Sequence, residues 1–229
     1  MQAFFFEDSV VKEIGVDEAG RGPMFGRVYA AAVVLKRDKT LDYSMIKDSK
    51  RFSSFKKLTS VANHIMDIAE YWAVAYRDEK TIDNLNILEA TQFAMHDAIS
   101  QIQHQMQTRK DDDLVILVDG NYFHPFVKYY GGEINQFLET PYCTLVQGDS
   151  KVSSIAAASI LAKWHRDSYI AEMVALYPAL DTIYHIGHNK GYGGKTHMEA
   201  IREHGVSPWH RMTFGLCATV NKQCNAFPK

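Results

Sequence analysis

The rhythm of apolar and polar positions changes several times along this chain, and each change marks an element. Val11 to Val16 and Val28 to Leu35 are dense apolar runs that predict two strands. A helix is predicted from Ser53 to Glu70, opening on a serine cap and carrying Leu58, Val61, Ile65 and Ile68 on one face. Tyr71 to Tyr76 reads as a strand. From Thr81 to about Gln107 the spacing of Ile82, Leu85, Leu88, Phe93, Met95, Ile99 and Ile102 is helical, with Asn84 and Asn86 as points where a short and a long helix could part. The continuous run Leu114 to Val118 predicts a strand covered on both faces, and Cys143 to Gln147 predicts another. Ser153 to about Leu176 predicts a long helix whose Ile155, Ala158, Leu161, Ala162 and Tyr169 are available to pack. Strands come first and helices alternate with the later ones, so the pattern sums to an α/β fold with a mixed β-sheet flanked by helices.

Acidic residues stand just past three of these strand candidates: Asp17-Glu18, Asp119 and Asp149. Ligands of open α/β sheets sit outside strand ends, so acids recurring there can converge on one site. Neighbouring side chains on a strand point to opposite faces. Asp17 and Glu18 are therefore expected to share a site by the strand stopping and the chain curling through Ala19-Gly20-Arg21-Gly22-Pro23. Four carboxylates gathered together would repel and raise one another's pKa unless cations offset them. Oxygen-only ligands favour hard ions such as Mg²⁺ or Mn²⁺, and two ions about 4 Å apart support in-line displacement at phosphorus.

Composition narrows the classes. At 229 residues, 46% hydrophobic and 23% charged, the chain is long enough to bury a substantial core and shows no bias towards disorder or a fibrous rod. No stretch has membrane-spanning length, and the opening Met1 to Asp8 lacks the basic flank of a secretory signal, which places the chain in the cytoplasm. Cys143, Cys217 and Cys224 are odd in number and far apart, and read as reduced thiols. A net charge of −2 gives no overall basic footprint. The distribution matters more: Lys36, Arg37, Lys39, Lys47, Lys50, Arg51, Lys56 and Lys57 crowd one segment, and Lys190, Lys195, Arg202 and Arg211 mark another. An acidic centre between basic segments suits a polyanion held across a metal site.

The motifs GVDEAGRG from Gly15, KDSK at Lys47 to Lys50, VDG at Val118 to Gly120, GDSKVSSIAAASILAK from Gly148, HNKGY at His188 to Tyr192 and PWHRMTF near the end resemble, in order and spacing, bacterial ribonuclease HII. The resemblance runs from about Gly15 to Phe214. It implies a ribonuclease H-like core over residues 1–184 and a small helical C-terminal extension over residues 185–229. It further implies endonucleolytic cutting of the RNA strand of RNA/DNA hybrids and of DNA duplexes carrying single ribonucleotides, by a monomer, leaving 3′-hydroxyl and 5′-phosphate ends. By similarity Asp17, Glu18, Asp119 and Asp149 hold two Mg²⁺ or Mn²⁺ ions, Gly20, Arg21 and Gly22 meet the ribonucleotide, and Tyr192 packs on the neighbouring sugar. The Gly-Arg-Gly form argues against the sister ribonuclease HIII, which carries Gly-Lys-Gly and usually an extra N-terminal domain.

Only the 2′-hydroxyl separates RNA from DNA locally, and bare backbone can both donate to it and accept from it. Ser49, Lys50, Arg51, Ser150, Lys151 and Ser153 are candidates for phosphate contacts, or else caps and solvated side chains. Lys47 and Phe25-Gly26-Arg27 depart from the family's usual Asn and Ala-Gly-Pro. The segment Asn121 to Thr140, rich in aromatics, reads as a packed surface loop rather than a further duplex contact. His185, His188 and His197 lack a zinc-site spacing, and His188 and His197 read as supports for the Lys190-Gly191-Tyr192 loop. The rival to an enzyme is a catalytically silent hybrid-binding module, which could have lost the acids that this chain retains.

Overall fold

In the computed structural model, residues 1–6, 10–38, 40–46, 54–107, 113–131, 135–220 and 222–227 are described. Strand β1 (Lys12–Ala19) pairs antiparallel with β2 (Val28–Leu35), which pairs antiparallel with β3 (Ala69–Arg77). On its other side β1 runs parallel to β4 (Leu114–Asp119), and β4 runs parallel to β7 (Tyr142–Leu145), giving the order β3-β2-β1-β4-β7. The strand period of two divides the core. Ile14, Val16, Ala30, Ala32, Val34, Ile116 and Val118 face one layer, and Ala31, Val33 and Leu35 face the other.

Helix α1 (Phe55–Ile68) starts at Ser54, whose hydroxyl accepts from Lys57 N, one residue after the serine expected to cap it. The expected division of the next helix falls at Asn86. There α2 (Glu79–Leu85) ends and α3 (Ile87–Gln105) begins, and the Asn86 carboxamide oxygen accepts from Leu88 N at 2.8 Å and Glu89 N at 3.1 Å. Asn86 has φ of 73°, so this residue turns the chain and caps the next helix together. Helix α3 packs on the Ile14/Val16 side of the sheet, while α1 and α4 (Ser153–Leu176) pack on the other. Gly15 permits the approach of α4: a Cβ there would stand 2.2 Å from the Ser154 carbonyl carbon.

The segment after β4 is only partly the packed loop its aromatics predict. Phe123 and Phe126 are buried in the core, but the chain then forms an antiparallel ribbon, β5 (Val127–Tyr130) and β6 (Gln136–Glu139), that leaves Tyr129 and Phe137 exposed. Four-residue strands with no buried residue present no core-facing stripe, which is why the sequence does not announce them. Helices α5 (Ala179–Tyr184), α6 (Ile186–Asn189) and α7 (Lys195–His204) share a buried cluster with Tyr169, Ile170 and Met173 of α4 and with Met24, Phe25 and Tyr29 around the loop after β1. Of the unusual Phe25-Gly26-Arg27, Phe25 is buried in that cluster, and the Arg27 guanidinium lies 4.1 Å from the Tyr76 ring centroid and 4.6 Å from that of Tyr169. No described helix is long and apolar enough to cross a membrane.

Candidate active site

Strand β1 does not stop at Val16, as the turn signal predicted. It stays paired with β2 through Asp17–Ala31, Glu18–Ala30 and Ala19–Tyr29, and the positive φ of 97° comes only at Gly20. The two acids share a site for a different reason. Pairing of β1 with β4 ends at Val16–Val118, so beyond that pair the sheet splits, and Asp17, Glu18 and Asp119 stand at the split. Asp149 arrives from β7 on a 3-10 turn, Gly148–Ser150, entered through Gln147 in the left-handed region. Gly148 brings that turn close: its N–H donates to Asp119 Oδ1 at 2.6 Å, and a Cβ would lie 2.7 Å from Ile155 Cδ1.

All four acids line one cleft of ≈ 330 Å³, together with Gly20, Ser159, Lys163, Arg166, Asp167, Lys190 and Tyr192. Asp17 is 5% exposed. Burial pushes its carboxyl well above the usual range, Glu18 and Asp119 push it further, and the Ser159 hydroxyl and Glu18 N–H oppose them only partly. Glu18 is raised mainly by burial, against the pull of the Arg21 guanidinium 3.3 Å away. Among the described residues no three His, Cys, Asp or Glu side chains stand as a ready-made metal cage. The donor set nonetheless fits hard divalent ions, because it is all oxygen and because burial and neighbouring carboxylates disfavour the charge on Asp17 in their absence.

The remaining expected residues fall into four groups. Gly20 and Tyr192 line the cleft, and Gly22 sits beneath the Tyr192 ring, where a Cβ would meet Cε1 at 3.4 Å. Arg21 is exposed at the rim, paired with Glu18. Lys151 is exposed outside the cleft lining with its ammonium 2.7 Å from the Val146 carbonyl, and the Ser150 and Ser153 hydroxyls donate to the Gln147 and Gln2 carbonyls. Ser49, Lys50, Arg51 and Lys47 lie outside the described residues.

Sequence reasoning passed over one polar stripe. Ser159, Lys163 and Arg166 recur at helical spacing on α4, followed by Asp167, which accepts from Lys163 at 3.0 Å. That three- and four-residue spacing of polar side chains was a readable signal. Arg166 is buried, donates to the Lys190 carbonyl at 2.6 Å and lies 5.8 Å from the Tyr192 ring centroid.

Tyr192 is 53% exposed, yet its backbone is firmly held. Ser207 N–H donates to His210 Nδ1 at 3.0 Å, so that nitrogen carries no proton in the neutral ring. His210 Nε2–H then donates to His197 Nε2 at 3.0 Å, and His197 Nδ1–H donates to the Tyr192 carbonyl at 2.9 Å. His197 thus supports the loop as expected, through a buried relay. Burial holds both imidazoles below their ordinary pKa, His210 down to about 3.

Comparison with known proteins agrees with this geometry. The family model for ribonuclease HII matches residues 14–217. Ribonuclease HII of Parabacteroides distasonis is 44% identical over 205 residues, covering 89% of this chain and 90% of the relative, and that of Chlorobium luteolum is 39% identical over 94% of each. The crystal structure of ribonuclease H2 from Pyrococcus horikoshii OT3 superposes with a TM-score of 0.66 at 23% identity, over 91% of this chain and 96% of that one. A Bst ribonuclease HIII solved in complex with Mn²⁺ gives a TM-score of 0.63 at 18% identity, over 91% of this chain and 68% of that one. The matching span takes in every strand end that carries an acid, and by that match the chain belongs to the ribonuclease HII family, enzymes with ribonuclease H endonuclease activity.

Proposed function

We propose that this ribonuclease H hydrolyses the RNA strand of RNA/DNA hybrids and nicks duplex DNA on the 5′ side of an embedded ribonucleotide, leaving 3′-hydroxyl and 5′-phosphate ends. The observation that carries the reading is the meeting of acids from three strand ends in one cleft whose rim is formed by Gly20, Gly22 and Tyr192. Asp17, Glu18, Asp119 and Asp149 would hold two Mg²⁺ or Mn²⁺ ions. When bound, such ions activate water and offset charge on the phosphate and the leaving oxygen. The chain's own groups then do the rest. Ser159 and Glu18 N–H fix the Asp17 carboxylate. Lys163, Lys190 and Arg166 line the cleft as cations facing a phosphodiester backbone, where they position the duplex without reading its sequence. Ser49, Lys50 and Lys151 extend those phosphate contacts.

The Gly20-Arg21-Gly22 backbone meets the 2′-hydroxyl, and the Tyr192 ring packs on the following sugar, where an added hydroxyl is unwelcome. Together they read an RNA-to-DNA junction. The protein acts as a monomer in the cytoplasm. The test is a DNA duplex bearing one ribonucleotide, supplied with Mg²⁺ and with native protein or Asp119→Asn. The native protein should cut at the ribonucleotide and Asp119→Asn should bind but lose at least about a hundredfold in rate, the scale on which one electrostatic group contributes to catalysis. Binding without cutting by both proteins would identify a silent hybrid-binding module instead.

A further inference from the structure

The Arg211 side chain is wholly buried, and its hydrogen bonds go to backbone carbonyls rather than to a carboxylate. Nη2 donates to the Gly20 carbonyl at 2.6 Å, Nη1 to the Arg21 carbonyl at 2.9 Å and Nε to the Gly26 carbonyl at 2.8 Å. Its own backbone is zipped to the same loop, with Arg211 N–H donating to the Met24 carbonyl and Gly26 N–H to that of Trp209, both at 2.8 Å. Taking a guanidinium out of water costs several kcal/mol, so a buried one is retained only where its fork is well used.

In a trans peptide the C=O of one residue and the N–H of the next point in opposite directions. Carbonyls of Gly20 and Arg21 drawn inward to Arg211 therefore turn the N–H groups of Arg21 and Gly22 outward. Those two residues are exposed, and neither N–H donates to a protein acceptor among the described residues. Gly20 is closed in from behind, since a Cβ there would stand 2.5 Å from Arg166 Nε. We infer that Arg211 is a positioning residue, which aims the Arg21 and Gly22 amides at the ribose 2′-oxygen and so sets the preference for a ribonucleotide over a deoxyribonucleotide. The inference rests on the ribonucleotide reading of this loop. A point charge such as lysine cannot engage three carbonyls held in a fork, so the conservative replacement is informative.

The experiment measures binding of two duplexes, identical except for one ribonucleotide in place of a deoxyribonucleotide, by protein carrying Asp119→Asn so that the strands stay intact. Arg211→Lys is compared with Tyr184→Phe, which removes a hydrogen bond to the Gly205 carbonyl in the same C-terminal cluster and none to the loop after β1. The parent should prefer the ribonucleotide duplex, Arg211→Lys should lose about tenfold or more of that preference, and Tyr184→Phe should keep it although both melt lower. An unchanged preference in Arg211→Lys, or an equal loss in Tyr184→Phe, overturns the assignment. Equal binding of both duplexes by the parent overturns the ribonucleotide reading and the inference with it. Should Arg211→Lys fail to fold, amide exchange in the native chain decides. Arg21 and Gly22 should exchange freely in the unliganded protein and slow only on the ribonucleotide duplex, and slow exchange without any duplex is the contrary result.

Discussion

Asp17 is held where its own charge is unwelcome, buried between Glu18 and Asp119 with only neutral donors to offset it. That arrangement makes the metal-free protein less stable than its fold allows. Asp17→Asn keeps an oxygen able to accept from Glu18 N–H and Ser159 while removing the charge. In chelator the variant should melt higher, by about 2–4 °C for each kcal/mol of repulsion relieved. Added Mg²⁺ or Mn²⁺ should raise the melting temperature of the native protein by selective binding to the folded state, and that of the variant by much less. Equal metal-induced shifts would contradict the ligand role. At this scale the acids were legible in the sequence, because an acid just past a strand candidate recurs three times, at Asp17-Glu18, Asp119 and Asp149. The role of Arg211 was not, since its partners are carbonyl oxygens, which belong to every residue and leave no trace in residue type.

The acids of β1 face Ser159 of α4, and these two elements are pressed closely enough that only glycine fits between them. A Cβ at residue 15 would meet main chain at Ser154 and Ile155, which cannot swing aside as a side chain could. Gly15→Ala should therefore cost about 3 kcal/mol or more, in the class of overpacking and backbone strain, and should lower activity at temperatures where the variant is still folded, because Ser159 shifts relative to Asp17. Native activity in a folded Gly15→Ala protein would show that α4 does not set the site. Element boundaries were legible where a side chain marks them, as Asn86 does with its cap. The β5–β6 ribbon was not, because the exposed Tyr129 and Phe137 read like the core-packed Phe123 and Phe126 until the sheet is seen. The extent of β1 was misjudged because glycine marks the turn three residues after the first acid, and nothing local says where β4 lets go.

Across the whole molecule the C-terminal segment acts as a clamp on the loop after β1, through Arg211 and through the relay from Ser207 to Tyr192. Protonating His210 at Nδ1 would set two donors against each other at Ser207 N–H, and protonating His197 at Nε2 would do so between the rings. Both groups have folded-state values below the ordinary imidazole value of 6.5, His210 at about 3. Their contribution is thus complete above pH 6.5 and is lost as pH falls, at about 1.4 kcal/mol per pH unit for each ring while only the unfolded chain takes up the proton. Melting temperatures from pH 7 to pH 4 should fall steeply for the native protein and less steeply for His210→Gln, which starts lower. Parallel slopes would remove the relay from the account. The strand order was out of reach of the sequence for a related reason: it depends on the parallel pairing of β1 with β4, whose segments lie far apart in the chain and advertise no preference for each other.

The central claim, that acids at a split in the sheet serve divalent ions in phosphodiester hydrolysis, is tested most directly by metal removal and return. Native protein stripped with chelator is given a DNA duplex with one ribonucleotide, then Mg²⁺ or Mn²⁺. Cutting should be absent before the addition and restored after it, with the nick 5′ of the ribonucleotide, a 3′-hydroxyl and a 5′-phosphate. Turnover undiminished by stripping, or ends bearing a 2′,3′-cyclic phosphate, would contradict it.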